Sequence, residues 1–486
     1  ITMGVDLPEN TGSEVIADVV DPLWEATDIT VNPQQQTATV VVEGTDKYFD
    51  TCTLAQNQIK ILEDGVESTT ATVTNFKKVK DLTESRNVNG TTSTVQYGVQ
   101  YTISISGYKL DKNQVKIQIP AKTLKDKSGN TNKDTGIMIY NMLRETSEEY
   151  APDSPFLGNE QVKREKVENV TFINSIADAN ETQWDVSAAG DDSILAWYKT
   201  TSTGSLQVYI GSKYQMFANR DSSYLFGNLG FDEECKATEI ITNLELLDTH
   251  NVANMSYMFT NIGRNAITTL RLGNNFDTSS VTNMSWMFRN TGELIMETLD
   301  LGEKFDTSNV TNMQGMFYYT GYRKLKELNL GEKFITSNVT DMSSMFIGAG
   351  HDSMQILDLG ENFDTSKVTT MDSMFWDTGY SAMTELNLRD KFDTSSVTNM
   401  NMLFNNTGNK SMTSLDLGNK FTTVSATNMT DMFRECGTES MISLDLGPAF
   451  TKIADVHNDM LSSCGKSGEL TIYAPEAIFS DQTHFK

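Results

Sequence analysis

Apolar and polar residues alternate along this chain in two different rhythms. In the C-terminal part the apolar positions belong to a recurring phrase. FDTSNVTNMQGMF runs from Phe305 to Phe317, and near-copies begin at Phe276, Phe334, Phe363 and Phe392. Its valine returns at Val252, Val281, Val310, Val339, Val368 and Val397, with Ala426 next, always 29 residues apart. A second phrase keeps step: Leu270-Arg271-Leu272-Gly273, Leu299-Asp300-Leu301-Gly302 and their counterparts as far as Leu444-Asp445-Leu446-Gly447, with Arg389 in place of Gly after Leu388. A period of this length with an apolar-x-apolar core predicts one short strand per coil of a solenoid. The two leucines point inward and the central residue outward. Val310, Met313, Met316 and Phe317 follow spacings of three, three and one, which suits a short helical turn on the opposite wall, capped by Thr311 or Asn312. Gly302 lets the chain leave the strand, and Asp306-Thr307-Ser308 is turn chemistry. No single coil buries its own apolar face, so each must stack on its neighbours.

Upstream the rhythm is that of longer strands. ITVNPQQQTATVVVEG, QIKILEDGV, TVQYGVQYTISISGY and QVKIQIPAKTLKDKSGNTN are strand-like runs parted by turn residues, at the spacing of a β-sandwich. The division expected is a tail of a preceding module or linker over 1–20 and a sandwich over 21–146. A charged linker then covers 147–168, with an N-terminal cap and lead-in over 169–245. The solenoid follows over 246–465, and a C-terminal capping segment over 466–486. The chain opens on Ile1 and reads as a piece of something longer.

Composition narrows the chemistry. With 486 residues, more than one core is expected. Hydrophobic residues make up only 38%, which favours strands, turns and polar surface over helical bundles. Acidic residues outnumber basic ones 65 to 38, for a formal charge of −27. Such a chain repels phosphate backbones and anionic lipid, so neither nucleic acid nor a membrane surface is the expected partner. No apolar run is long enough to cross a membrane, and no membrane insertion is expected of this segment. His250, His351, His457 and His484 show neither metal-ligand spacing nor triad partners. There is no phosphate-cradling glycine loop or nucleophile elbow either. No enzyme, cofactor or metal is expected.

The phrases FDTSNVTNMQGMF and TLDLGEKF resemble the BspA-like leucine-rich-repeat surface proteins of bacteria, whose units read much like LxSLDLSNFDTSNVTNMSSMFxxC. The stretch from Trp184 is similar to the segment that opens such arrays, and ELTIYAP near Leu470 to the one that closes them. QIPAKTLKDKSGNTN, from Gln118, is similar to the last strands of bacterial immunoglobulin-like modules. The resemblance implies a mainly β protein: an N-terminal immunoglobulin-like β-sandwich followed by an α/β, right-handed leucine-rich-repeat solenoid. It also implies a secreted or cell-surface bacterial protein that binds host or matrix molecules outside the cell. The 29-residue unit is a few residues longer than the family's usual one, with the excess around Gly292–Glu297.

The repeats provide an internal alignment that separates scaffold from decoration. Met and Phe barely vary, whereas the positions just after the phrase vary freely. They collect Tyr318, Tyr319, Tyr322, Trp376 and Tyr380, with Ile347 between them. Large aromatics at non-core positions are the usual anchors of recognition surfaces; the alternative is that they pack beneath the longer loops. The strand centres form a ladder, Arg271, Asp300, Asn329, Asp358, Asn387, Asp416 and Asp445. It reads either as a row for a cation or hydroxyl-rich ligand or as a solvated face in which Asn between Asp relieves repulsion. Cys436 and Cys464 follow Met432-Phe433 and Met460-Leu461 in consecutive units. Stacked coils would bring them near disulfide distance, or leave two buried thiols. Three functions fit: an adhesin or interaction module binding a protein or glycan, a stalk or shield without specific ligand, and a carbohydrate-binding accessory of a larger secreted protein.

Overall fold

The computed structural model describes residues 18–88, 91–146 and 150–479. The expected tail therefore lies outside the described residues except for its last three, as does His484. The chain is mainly β. Its one α-helix among the described residues is Glu476–Phe479. Two compact units meet in sequence between Tyr140 and Asn141.

The first unit is built from antiparallel sheets. Thr37–Thr45 lies between Leu23–Asn32 and Thr91–Ser106, and the latter pairs with Thr72–Val88. A second sheet joins Lys60–Glu63 to Gln114–Ile119. Burial alternates along Thr37–Thr45 and Gln114–Ile119 as a half-buried strand requires. Val40, Val42, Ile103, Ile105, Val115 and Ile117 are fully buried.

In the second unit the 29-residue period becomes geometry. Three-residue parallel strands pair Leu270 with Leu299, Leu357 with Leu386 and Leu415 with Leu444, one period apart. Phe226, Phe259, Phe288, Phe317, Phe346, Phe375, Phe404 and Phe433 stack face to face through the core, centroids 5.4–5.6 Å apart. Such a column is possible only if successive coils repeat the same shape. The constancy of Met and Phe is thus a requirement of stacking.

Buried threonines tie coil to coil. The Oγ1 of Thr249, Thr278, Thr307, Thr336 and Thr365 each donates to a backbone carbonyl 28 residues on, at 2.8–2.9 Å. Thr291, Thr320, Thr378 and Thr407 donate backwards, to the carbonyls of Phe259, Phe288, Phe346 and Phe375. These buried hydroxyls satisfy carbonyls that burial would otherwise leave costly.

The expected helical turn is absent. From Met313 to Thr320 alternate amides point in different directions. Met313, Gly315, Phe317 and Tyr319 donate to the next coil, at Asp341, Ser343, Met345 and Ile347, over 2.7–3.1 Å. Met316, Tyr318 and Thr320 donate three residues back. This works because every fourth residue is left-handed, with φ of 58° at Gly315 and 52° at Tyr319. The spacing 3, 3, 1 is common to a helix and to this chain of turns. Bonding to a neighbouring coil selects the turns.

The stretch read as a linker is folded from residue 150 onward. Pro155–Phe156 pairs with Asn159–Lys163, and Phe156, Leu157 and Val162 join the core of the array. Its charges suggested a linker, but three apolar side chains spaced along it decide its fate. Residues 147–149 of that stretch lie outside the described residues.

Candidate functional site

One wall of the array carries a continuous file of rings. Tyr224 stacks on Tyr257 with centroids 4.7 Å apart, and Tyr257 on Trp286 at 6.2 Å. Trp286 meets Tyr318 edge-on at 5.4 Å. Tyr318 contacts Tyr319, and Tyr319 contacts Tyr322. The imidazole of His351 is sandwiched between Tyr322 and Tyr380, at 4.4 and 4.8 Å. All eight side chains are half-buried.

The repeat places them. Trp286 occupies the slot between two methionines, and Tyr322, His351 and Tyr380 share one position in consecutive units. Room is made by glycine one period on. A Cβ at Gly315 would fall inside the indole of Trp286, and one at Gly348 inside the ring of Tyr319.

Cations line the file. The Arg289 guanidinium lies 5.8 Å from the ring centres of both Trp286 and Tyr318. Arg323 lies over Tyr322 and Lys410 over Tyr380. Burial pushes the phenol of Tyr319 up to about 12 and raises those of Tyr224, Tyr257 and Tyr322 as well. For Tyr224 and Tyr257 the Arg289 charge opposes the rise. These hydroxyls stay protonated, available as donors.

Of the residues singled out from sequence, Tyr318, Tyr319, Tyr322 and Tyr380 come together in this file. Ile347 does not share the surface: it is 4% exposed, covered by its neighbours. Trp376 is half-buried, stands apart from the rings, and lends its carbonyl to the Gly348 amide. Tyr224, Tyr257, Trp286, His351 and the neighbouring Arg289 were missed. The signal that finds Trp286 is its slot, which holds Tyr257 one unit earlier.

The strand-centre ladder has a local task. An oxygen of Asp300, Asn329, Asp358, Asp416 and Asp445 accepts the N–H of the glycine two residues on, at 2.8–3.1 Å. Asn387 has no such glycine. There Arg389 turns back to form an ion pair with Asp358 and Glu361, and the Arg389 contact holds the Asp358 carboxyl below its usual range. Open clefts line this face, the one beside Arg271, Asp300 and Asn329 holding about 660 Å³.

Cys436 and Cys464 are free thiols here, the first buried and the second half-buried. Burial raises both, Cys464 to about 12, so neither is a ready thiolate. In the first unit the carboxylates of Asp18, Asp46 and Asp126 converge within 4.8 Å of one another. Burial, with the charges of Asp18 and Asp126, raises Asp46. Spacings of 28 and 80 residues gave this cluster no sequence signal.

No curated protein and no solved structure matches the chain. The repeat region is similar to one family, described as "Mycoplasma protein of unknown function, DUF285", whose model matches residues 231–357 and 351–445.

Proposed function

We propose that this chain is a bacterial cell-surface interaction module that works by binding, its repeats presenting the aromatic file to a protein or glycan outside the cell. The phrases shared with BspA-like leucine-rich-repeat proteins support a right-handed leucine-rich-repeat solenoid. Strand spacing and the stretch from Gln118 support an immunoglobulin-like sandwich that holds the array away from the envelope. The observation that carries the reading is the file itself: eight half-exposed rings with Arg289, Arg323 and Lys410 along them. Tyr, Trp and Arg are the side chains that dominate binding energy at recognition surfaces.

The test is binding of the labelled chain to glycan and matrix-protein arrays, repeated with Tyr318, Tyr319 and Tyr322 all changed to Ala. Saturable binding lost in the triple variant supports the reading. Silence on both arrays from a folded chain, or binding indifferent to the substitutions, removes it. One observation favours a stalk or shield instead: much of the ring area is spent on neighbouring rings, as at Tyr257 between Tyr224 and Trp286. Silence on the arrays would select that reading.

A further inference from the structure

Arg289 is held but not neutralised. Its guanidinium sits beside Trp286 and Tyr318, 5.8 Å from each ring centre, and its Nε is buried without a hydrogen-bond partner. Three other arginines on the array are matched: Arg264 with Glu293, Arg323 with Asp352, Arg389 with Asp358. Arg289 has no carboxylate within ion-pairing distance and no side-chain hydrogen bond among the described residues. In a chain of net charge −27, an arginine set against two rings and left without a counter-ion is an unfilled place. Beside it, the Oδ1 of Asn290 is also buried and unpartnered.

We propose that Arg289 is the anchor for a carboxylate carried by an acidic polypeptide partner. This rests on the reading of the aromatic file as a binding surface and names the chemistry it recognises. A guanidinium presents a planar fork that matches a carboxylate with two parallel bonds, and the Trp286 and Tyr318 rings lie beside it. The tyrosine hydroxyls, kept protonated, supply further donors.

The ring geometry favours a polypeptide over an acidic sugar. A pyranose needs an open aromatic face to lie on. Tyr257 has both faces covered, by Tyr224 and by Trp286, and the Trp286 indole is further closed in by Gly315 and Tyr318. At these two rings the faces are taken, and the group beside them left without a partner is the Arg289 guanidinium. The chain's own negative charge does not forbid this. At physiological salt its influence decays over about 8 Å, and the nearby Glu293 and Asp352 are already committed to Arg264 and Arg323.

The experiment is calorimetric titration of the full chain at ~0.15 M salt with capped hexaglutamate, capped hexaglutamine and a hexameric galacturonate. Saturable binding of hexaglutamate alone is expected, weakened about tenfold or more in Arg289→Ala and not restored in Arg289→Lys, which keeps the charge and loses the fork. No binding of hexaglutamate, equal binding by Arg289→Ala, full rescue by Lys, or tighter binding of the uronate would each overturn it. If Arg289→Ala fails to fold, Arg289→Lys and the hexaglutamate–hexaglutamine contrast decide. The two readings fail separately. Array binding that the triple aromatic variant loses and Arg289→Ala keeps would leave the surface standing and remove the anchor.

Discussion

The indole of Trp286 lies on the backbone of Gly315, one repeat further on, where a side chain would have to occupy the same space. Trp286 is itself left-handed, with φ of 58°, a conformation that costs a bulky residue about 1–2 kcal/mol and persists only because the coils on either side impose it. The backbone N–H of Trp286 donates to the Gln314 carbonyl in the next coil at 2.8 Å.

Gly315→Ala should therefore be costly twice over. Its own φ is 58°, worth about 1 kcal/mol against any Cβ, and the added methyl must displace the indole. A loss of about 2–4 kcal/mol is expected, with a shift in tryptophan emission as Trp286 is pushed out. Urea titration followed by fluorescence checks both. Gly331→Ala, where nothing lies within 4 Å of the added carbon, should keep the emission unchanged and cost only the backbone term.

The threonine column predicts an order. Thr278 Oγ1 donates to the Asp306 carbonyl at 2.8 Å and accepts the Asp306 amide at 2.8 Å. Thr336 Oγ1 only donates, to Asp364 at 2.8 Å. Both are fully buried. Valine keeps the shape and removes the hydroxyl, leaving two orphaned backbone groups in the first case and one in the second. At about 1–3 kcal/mol per buried unsatisfied group, Thr278→Val should cost about twice what Thr336→Val does. Hydrogen exchange at the Asp306 amide reads the difference directly. Equal costs would mean that the Asp306 amide finds another partner.

The array's beginning depends on a buried charge. Arg164 is fully buried, and its Nη1 donates to the carbonyls of Tyr224, Leu225 and Gly227 at 2.7, 3.3 and 3.0 Å, with the guanidinium over the Phe156 ring. Arg164→Met keeps length and volume but abandons these carbonyls. A cost of about 3–5 kcal/mol is expected, and because each coil leans on its neighbour the loss should appear first as fraying of the early coils. Exchange protection at Phe226 and Met258 should fall before protection at Phe404. Uniform loss along the array would contradict a capping role for Arg164.

How much of this the sequence disclosed follows from what each contact depends on. The Phe column and the leucine pairing depend on period alone, so 29-residue spacing was enough to place Phe288 on Phe317. The turn-built wall depends on backbone handedness, which apolar spacing does not encode. The clue was Gly315 in a slot that otherwise holds Tyr257, Trp286, Ser344, Ser373, Met402 or Asp431. In the candidate site, Tyr318, Tyr319, Tyr322 and Tyr380 were legible as large aromatics at variable positions. Ile347 misled because position in the repeat fixes where a side chain leaves the coil, not what its neighbours lay over it. Arg289 was invisible because nothing local marks a charge whose counter-ion is missing.

One pH dependence follows from His250, which stands where other units have Ser279 or Ser308. Its ring lies 3.8 Å from the Asp277 carboxylate. The Asp277 side-chain contact raises the imidazole's pKa; burial opposes the rise, Asp248 adds to it and Lys304 subtracts. For Asp277, burial works upward, but the contacts with His250 and Ser279 outweigh it and hold the carboxyl well below the usual range. A raised histidine contributes stability that is complete below its unfolded value, about 6.5, and is lost as pH rises through the folded value. A depressed aspartate contributes stability present above its unfolded value, about 3.9, and lost as pH falls through the folded one. The pair therefore supports the first coils best between about pH 4 and 6.5. Stability should decline from that window toward pH 8, and His250→Ser should flatten the decline. Denaturation midpoints of the two proteins across pH 5–8 check this, alongside the His250 titration by NMR. A His250 midpoint at or below the ordinary value, or an unchanged decline in the serine variant, would show that Asp277 does not hold this proton.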